Sequence, residues 1–351
     1  MATTDPAAQL RAWLQAGDWN ALRAHFASAA PATALGHQAR ALLHINSPEG
    51  KVDWAPILAD LRRACELEPG NPVLWVNLSQ ALLDSGQPGE SFEAACKARD
   101  LAPAAYPVLE KLAVSAVATQ RWDEALKALQ DARAAATAAG QQATKLVEGA
   151  LQELLPRWWM PLRSGGLTLR RPVQEHLSFI TSVVNDASFM RQYNRFQSGS
   201  DRAIQSLVAG AQLSPYQTRR IDWVAEDRSG APIGLGAIVD IDWVNRRGEF
   251  ALGFPGRPPG TAALKAAVAI LDFAFARLGL EKLVSYVYSD NPTAQANTLH
   301  LGFAQEGVLR EHVAALERAG RLDLYVNGML AREFLGSERY RSLRERWLKA
   351  A

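Results

Sequence analysis

The sequence predicts two domains of different class: an all-α domain of helical repeats, followed by an α/β domain built on a mixed central sheet. Three observations predict this. Up to about Gln152 apolar residues recur at helical spacing and strand signals are nearly absent. Within that part Pro69 and Pro103 end similar stretches, ELEP and DLAP, 34 positions apart. From Leu167 onward short alternating runs rich in Val, Ile and aromatics are interleaved with helical segments.

Composition bounds the rest. A chain of 351 residues suits two domains. Its 48% hydrophobic and 21% charged residues are ordinary for a globular protein. A formal net charge of +2 provides no global field for nucleic acid or an anionic membrane, so neither is expected as a partner. No apolar run approaches the about 20 residues that span a bilayer. The N-terminus MATTDPAAQLRAWLQAGDW holds an acidic residue and no apolar signal core, so a cytoplasmic location is expected. Cys65 and Cys96 sit in apolar helical context without metal-ligand spacing, and no metal is expected.

The first element is the repeat. Between the two prolines lies NPVLWVNLSQALLDSGQPGESFEAACKARDLAP. Trp75, Leu78, Ser79 and Leu82 mark a first helix and Gly86 a turn. Ser91, Ala95 and Ala98 are small residues where a second helix must approach its neighbours. Leu109, Leu112, Ala113 and Ala116 take the corresponding places in the next unit, with Trp122 after its turn. GDWNAL and VDWAPIL repeat the turn-and-aromatic start upstream, and an insertion falls around Ser47–Gly50. These three to four units resemble tetratricopeptide repeats. A helix pair cannot bury its apolar face alone, so stacking is a physical requirement. The resemblance implies a concave surface for a protein partner; a rigid spacer or an assembly arm is the alternative. Trp13, Trp19, Trp54, Trp75 and Trp122 are read as helix-packing residues.

The repeat domain is assigned to residues 1–152 and a linker to 153–166, where LLPRWWMPLRSGG breaks the helical pattern. The α/β domain is 167–336 and a basic C-terminal helix 337–351. In order, LTLRRP is a first strand and Val173–Asn185 a helix, with helix and loop to Ala211. IDWVAED and PIGLGAIVDID are strands joined at Arg228–Gly230. RRGEFALGF is the next strand, and a glycine-proline loop opens the helix Thr261–Leu278, which Gly279 stops. KLVSYVYS follows, then a helix with Asn291 as cap and Pro292 in its first turn, then two closing strands.

This order, with IGLGAIVDIDWVNRRGEFALGF and GFAQEGVLREHV, resembles the GNAT superfamily of N-acetyltransferases, in the branch acting on ribosomal-protein N-termini and amino sugars. The resemblance covers about residues 167–336. It implies acetyl-CoA as cofactor, with Ala251, Leu252, Gly253 and Phe254 beside its pantetheine. The pyrophosphate would meet Gly256, Arg257, Gly260, Thr261 and Ala262 at a helix N-terminus. The loop departs from the family pattern at Pro255 and Pro258; Pro258 and Pro259 offer no N–H. Asn291 matches a family position, but the tyrosine expected seven residues later is Thr298, whose hydroxyl can donate a hydrogen bond to a leaving sulfur yet is a far weaker acid. Glu249 is the candidate general base, with an ion pair to Arg246 or Arg247 as the alternative. Arg191, Tyr193, Asn194, Arg195 and Asp242 are the candidate acceptor-binding residues, against solvated helix-end and turn roles.

The function expected is acetyl-CoA-dependent N-acetylation of a primary amine, on an amino sugar (nucleotide-linked ones included) or a protein N-terminus, with the repeats holding a partner or mediating assembly. The rival is a GNAT scaffold that has lost catalysis, motivated by Pro255, Pro258 and Thr298.

Overall fold

The computed structural model describes residues 5–46, 51–193, 200–315 and 320–348. The chain divides into two compact units, Met1–Leu154 and Leu155–Ala351.

The first unit is helical: α1 (Pro6–Ala16), α2 (Trp19–Ser28), α3 (Ala34–Asn46), α4 (Trp54–Leu67), α5 (Pro72–Asp84), α6 (Pro88–Leu101), α7 (Tyr106–Ala118), α8 (Trp122–Ala138) and α9 (Lys145–Leu154). Tryptophan opens α2, α4 and α8, and the carboxylates of Asp18 and Asp53 accept first-turn N–H bonds in the first two of these. The repeat is visible in what is buried. Leu74, Leu78, Ser79, Ala81 and Leu82 of α5 are matched 34 positions on by buried Val108, Leu112, Ala113, Ser115 and Ala116 of α7. In α6, Ser91, Ala94, Ala95 and Ala98 are matched likewise by Ala125, Ala128, Leu129 and Ala132 of α8. They are also matched 34 positions earlier by Ile57, Asp60, Leu61 and Ala64 of α4. Small residues dominate these places because helix axes must close to about 8–10 Å.

Two polar departures are compensated. The buried hydroxyls of Ser79, Ser91 and Ser115 bond one another at 2.9–3.1 Å where α5, α6 and α7 meet. Asp60, where the other units have alanine, binds Arg40 through both oxygens at 2.7 Å and His37 at 2.8 Å. Burial pushes its carboxyl up, but these bonds outweigh it and hold the group below the usual carboxylate range.

The second unit is one eight-stranded sheet with helices on both faces. Its elements are β1 (Leu162–Ser164), β2 (Leu167–Arg170), α10 (Leu177–Val184), α11 (Ala187–Tyr193), α12 (Asp201–Gly210), α13 (Pro215–Thr218), β3 (Ile221–Glu226), β4 (Pro232–Asp242), β5 (Arg247–Gly253), α14 (Ala262–Asp272), β6 (Lys282–Tyr288), α15 (Pro292–His300), β7 (Ala304–Ala314), β8 (Arg321–Leu330), α16 (Ala331–Gly336) and α17 (Glu338–Trp347). The strand order is β1-β2-β3-β4-β5-β6-β8-β7. All neighbours are antiparallel except β5 and β6.

Differences from the sequence reading are local. The stretch read as linker holds β1, because Leu162 and Ser164 are buried and pair with Leu169 and Leu167. The helix expected to Leu278 changes at Asp272 to a wider π turn over Phe273–Arg277. The early helix begins as a 3-10 turn at Gln174–His176, with His176 bound to buried Glu226 at 2.9 Å.

Helix α14 lies on one sheet face, where a Cβ on Gly236 would come within 2.7 Å of Ile270. Helix α17 packs on α14 and ties to it through Arg344 and Asp272 at 2.5 Å. On the opposite face Ile180, Val184, Ile204 and Val208 of α10 and α12 pack on Val224. No helix among the described residues is long and apolar enough to cross a membrane.

Candidate active site

The site begins where two parallel strands part. Strands β5 and β6 pair only at Arg247–Lys282, Gly248–Leu283 and Glu249–Val284. Beyond Glu249, β5 continues to Gly253 paired with β4 alone, through Ala237–Ala251, Gly236–Leu252 and Leu235–Gly253. The β6-facing edge of Ala251–Gly253 is therefore outside the sheet's own pairing, and its amides and carbonyls are available to an extended ligand.

On the face of α10–α12 this opening meets a cavity of ≈ 270 Å³. Its floor is the sheet: Asp222 from β3, Ala237, Val239 and Asp240 from β4, Glu249 and Ala251 from β5, Tyr286 and Tyr288 from β6. Ile180, Val184, Tyr193 and Leu207 close it from the helices. Small residues on alternate β5 positions make this room. A Cβ on Gly253 would lie 2.6 Å from Tyr193 Cδ2 and 2.8 Å from Phe189, so only glycine lets α11 seat there.

Glu249 is the group that the surroundings perturb most usefully. Burial, reinforced by the charge of Asp240, pushes its carboxyl up to about 7. Both arginines that offered it an ion pair are engaged elsewhere: Arg246 with Glu281 at 3.0 Å and Arg247 with Asp242 at 3.7 Å. Arg220 donates to both oxygens of Asp222, from Nε at 2.8 Å and from Nη2 at 2.6 Å. Burial and the Asp222 charge push the Tyr193 phenol above its ordinary range.

Asp240 owes its place to a bulge. Between Val239 and Asp242 strand β4 carries one residue more than its partner, and Asp240 adopts φ 49°. Asp and Asn are the non-glycine residues that best tolerate this left-handed backbone.

The phosphate end is a turn and a helix start. Gly256 and Gly260 have φ of 73° and 52°, and added side chains there would meet open space. Thr261 precedes α14 without a side-chain cap bond; the Ala262 N–H already donates to Pro259 O at 3.0 Å, so an anion at this helix start would meet the first-turn N–H groups that follow it. Arg257 is exposed beside them. These observations fit a CoA pyrophosphate despite the prolines at 255, 258 and 259.

The other expected residues fall in several places. Asp242 is held below the usual carboxylate range by Asn245, and its oxygens accept from Val244 and Asn245 N–H in the β4–β5 turn. It is a turn residue and does not line the cavity. Arg191 does not line it either, and Asn194 and Arg195 lie outside the described residues. Asn291 is buried, and its side chain accepts from Ala294 N–H as the α15 cap. Thr298 is half-buried on α15 and is not a lining residue. Sequence reasoning missed Asp222, Arg220, Tyr286 and Tyr288. The paired tyrosines of SYVY carried a signal, since i and i+2 share a strand face. Asp222 carried none, because every neighbour on its strand is buried.

The sequence of the second unit is similar to that of known acetyltransferases. Residues 166–304 match the family described as acetyltransferase (GNAT) domain. A spermidine N(1)-acetyltransferase of Escherichia coli K12 is 31% identical over 146 residues, covering 40% of this chain and 74% of that protein. One of Vibrio cholerae serotype O1 is 27% identical over 146 residues, 41% of this chain and 83% of that protein. A crystal structure of spermidine N-acetyltransferase from Vibrio cholerae with CoA and spermine has 25% identity and a TM-score of 0.43, covering 48% of this chain and 98% of that one. The chain belongs to the GNAT acetyltransferase family. It is an N-acetyltransferase, and acetyl-CoA is its acyl donor.

Proposed function

We propose that the second unit acetylates small cationic primary amines of the polyamine type. The observation that carries this reading is the cavity at the β5–β6 opening. It is lined by Glu249, Asp240, Asp222 and three tyrosines, with Arg220 the one cationic lining residue among the described residues, itself paired to Asp222. Carboxylates and aromatic faces attract ammonium groups. The names of the two curated relatives point the same way.

In this proposal Ala251, Leu252, Gly253 and Phe254 hold pantetheine through the unpaired strand edge, and Gly256, Arg257, Gly260, Thr261 and Ala262 hold the pyrophosphate. Acetyl-CoA supplies an activated acetyl thioester. Glu249 takes a proton from the acceptor ammonium and so frees the amine lone pair. Tyr193 closes the acceptor side. Thr298 Oγ1 donates a hydrogen bond to the departing sulfur, and Asn291 fixes the start of the helix that carries Thr298. Arg191, Asn194 and Arg195 remain proposed acceptor contacts of the stretch after α11. Asp242 keeps the β4–β5 turn that presents Asp240.

The test is CoA release with spermidine, spermine, glucosamine, a nucleotide-linked amino sugar and peptides with a free N-terminus. Turnover of the polyamines above the others is expected. Turnover restricted to the sugars or the peptides overturns the acceptor class and restores the amino-sugar or protein N-terminus reading. Acetyl-CoA binding with no turnover of any amine supports the scaffold reading.

We also propose that the first unit is a tetratricopeptide-type repeat array that holds a protein partner or mediates assembly. The 34-residue recurrence of buried positions in α4–α8 supports it. A cytoplasmic location belongs to the same proposal, since Cys65 and Cys96 are both free thiols.

A further inference from the structure

The cavity contains a carboxylate that the transfer itself does not need. Glu249 suffices as base. Asp222 is neutralised by its two-point pairing with Arg220. Asp240 lines the same cavity and is exposed to solvent; its charge is felt by the Arg220 guanidinium, but no hydrogen bond or ion pair within 4 Å holds it among the described residues. We infer that Asp240 anchors a second, distal ammonium of the acceptor, so that this site discriminates dicationic from monocationic amines. The inference rests on the small-amine reading of the cavity.

The geometry supports it at three points. Val239 is directly opposite Glu249 across strands about 4.8 Å apart, and Asp240 follows it by one residue. A ligand reaching from Glu249 to Asp240 therefore spans a few methylenes. The bulge turns Asp240 out of the strand pattern with φ 49°, and that side chain then faces the cavity that its neighbour Val239 also lines. Around the path stand Tyr193 from α11 and Tyr286 and Tyr288 from β6, which suit an alkyl chain between two cations. The groups facing Glu249 are thus Asp240 on β4, Asp222 on β3 with Arg220 just before that strand, Tyr193 on α11, and the two β6 tyrosines. The net charge they present to an acceptor is negative once Glu249 is ionised.

The experiment compares 1,4-diaminobutane with 1-aminobutane as acceptors, in wild type and in Asp240→Asn, well above pH 7 so that Glu249 is ionised in both. Asparagine tolerates the same left-handed backbone, so the substitution removes charge and keeps the turn. Wild type is expected to favour the diamine in kcat/KM, mainly through KM. Asp240→Asn is expected to reduce that preference about tenfold, the value of one charge-assisted contact. Asp240→Glu, which keeps the charge, is expected to retain a preference. An equal loss on both amines in Asp240→Asn overturns the inference and makes the residue structural. Equal kcat/KM for the two amines in wild type also overturns it, while leaving the small-amine reading intact. Failure of wild type to use either amine, with turnover of glucosamine or peptide, removes both.

Discussion

Glu249 concentrates the testable chemistry of single residues. A base with a pKa near 7 is ionised over half the time only above neutrality, so kcat/KM is expected to climb through about pH 7. Glu249→Gln is expected to lower kcat on the order of 10²–10⁴-fold and to abolish that limb, with acetyl-CoA affinity unchanged by calorimetry. A rate unchanged across pH removes Glu249 as base. The same shift has a consequence for stability. The folded pKa of about 7 exceeds the ordinary glutamate value of 4.5. The protonated form is favoured by the fold, so this contribution is present below pH 4.5 and lost as pH rises through 7. Glu249→Gln is therefore expected to raise Tm relative to wild type at pH 8 and to leave it similar at pH 4.5. The bound on the effect is about 3 kcal/mol at 1.36 kcal/mol per unit. Gly253 offers a steric test: Gly253→Val places carbon where Tyr193 and Phe189 already stand. A loss of about 1–3 kcal/mol in chemical denaturation is expected, with KM for the amine raised. A neutral outcome means that α11 is not seated on β5 as described.

Among the elements, the loop before α14 carries the sharpest expectation. Gly260→Asp adds a side chain into open space at φ 52°, a left-handed backbone that aspartate adopts more readily than most residues, so the strain costs only about 1 kcal/mol. It also puts negative charge at the helix start where an anion is proposed. Acetyl-CoA affinity is expected to fall by at least tenfold in calorimetry while Tm stays within a few degrees. Unaltered affinity would mean that the pyrophosphate is held elsewhere. Element identity was largely legible in sequence because its signals are local: the short β-branched and aromatic runs IDWVAE, PIGLGAIVDID and KLVSYVY marked β3, β4 and β6. Pro292 and Asn291 marked the start of α15 for the same reason. What escaped was short or irregular. Strand β1 has three residues, too few for a period, and it is held by its pairing to β2. The π turn after Asp272 and the bulge at Asp240 each insert one residue into a regular pattern, and single insertions leave no periodic trace.

At the scale of the whole molecule, the two units each bury their own apolar core, Met1–Leu154 by helix stacking and Leu155–Ala351 around the sheet. Residues 155–351 produced alone are expected to melt cooperatively and to bind acetyl-CoA within a few-fold of the full chain. Loss of the fold in that fragment would show that the units stabilise each other.

The sequence by itself determined the two classes of fold, the 34-residue recurrence, the GNAT element order and the choice of Glu249 as candidate base, because each of these is written in local spacing or in one residue's place along a strand. Only the tertiary structure decided what Glu249 experiences. Its burial, the diversion of Arg246 and Arg247 to Glu281 and Asp242, and the convergence of Asp222, Asp240, Tyr193, Tyr286 and Tyr288 join residues from five elements. Charge and dielectric act through space, so a carboxyl pushed up to about 7 is a property of the assembled cavity and of no segment alone.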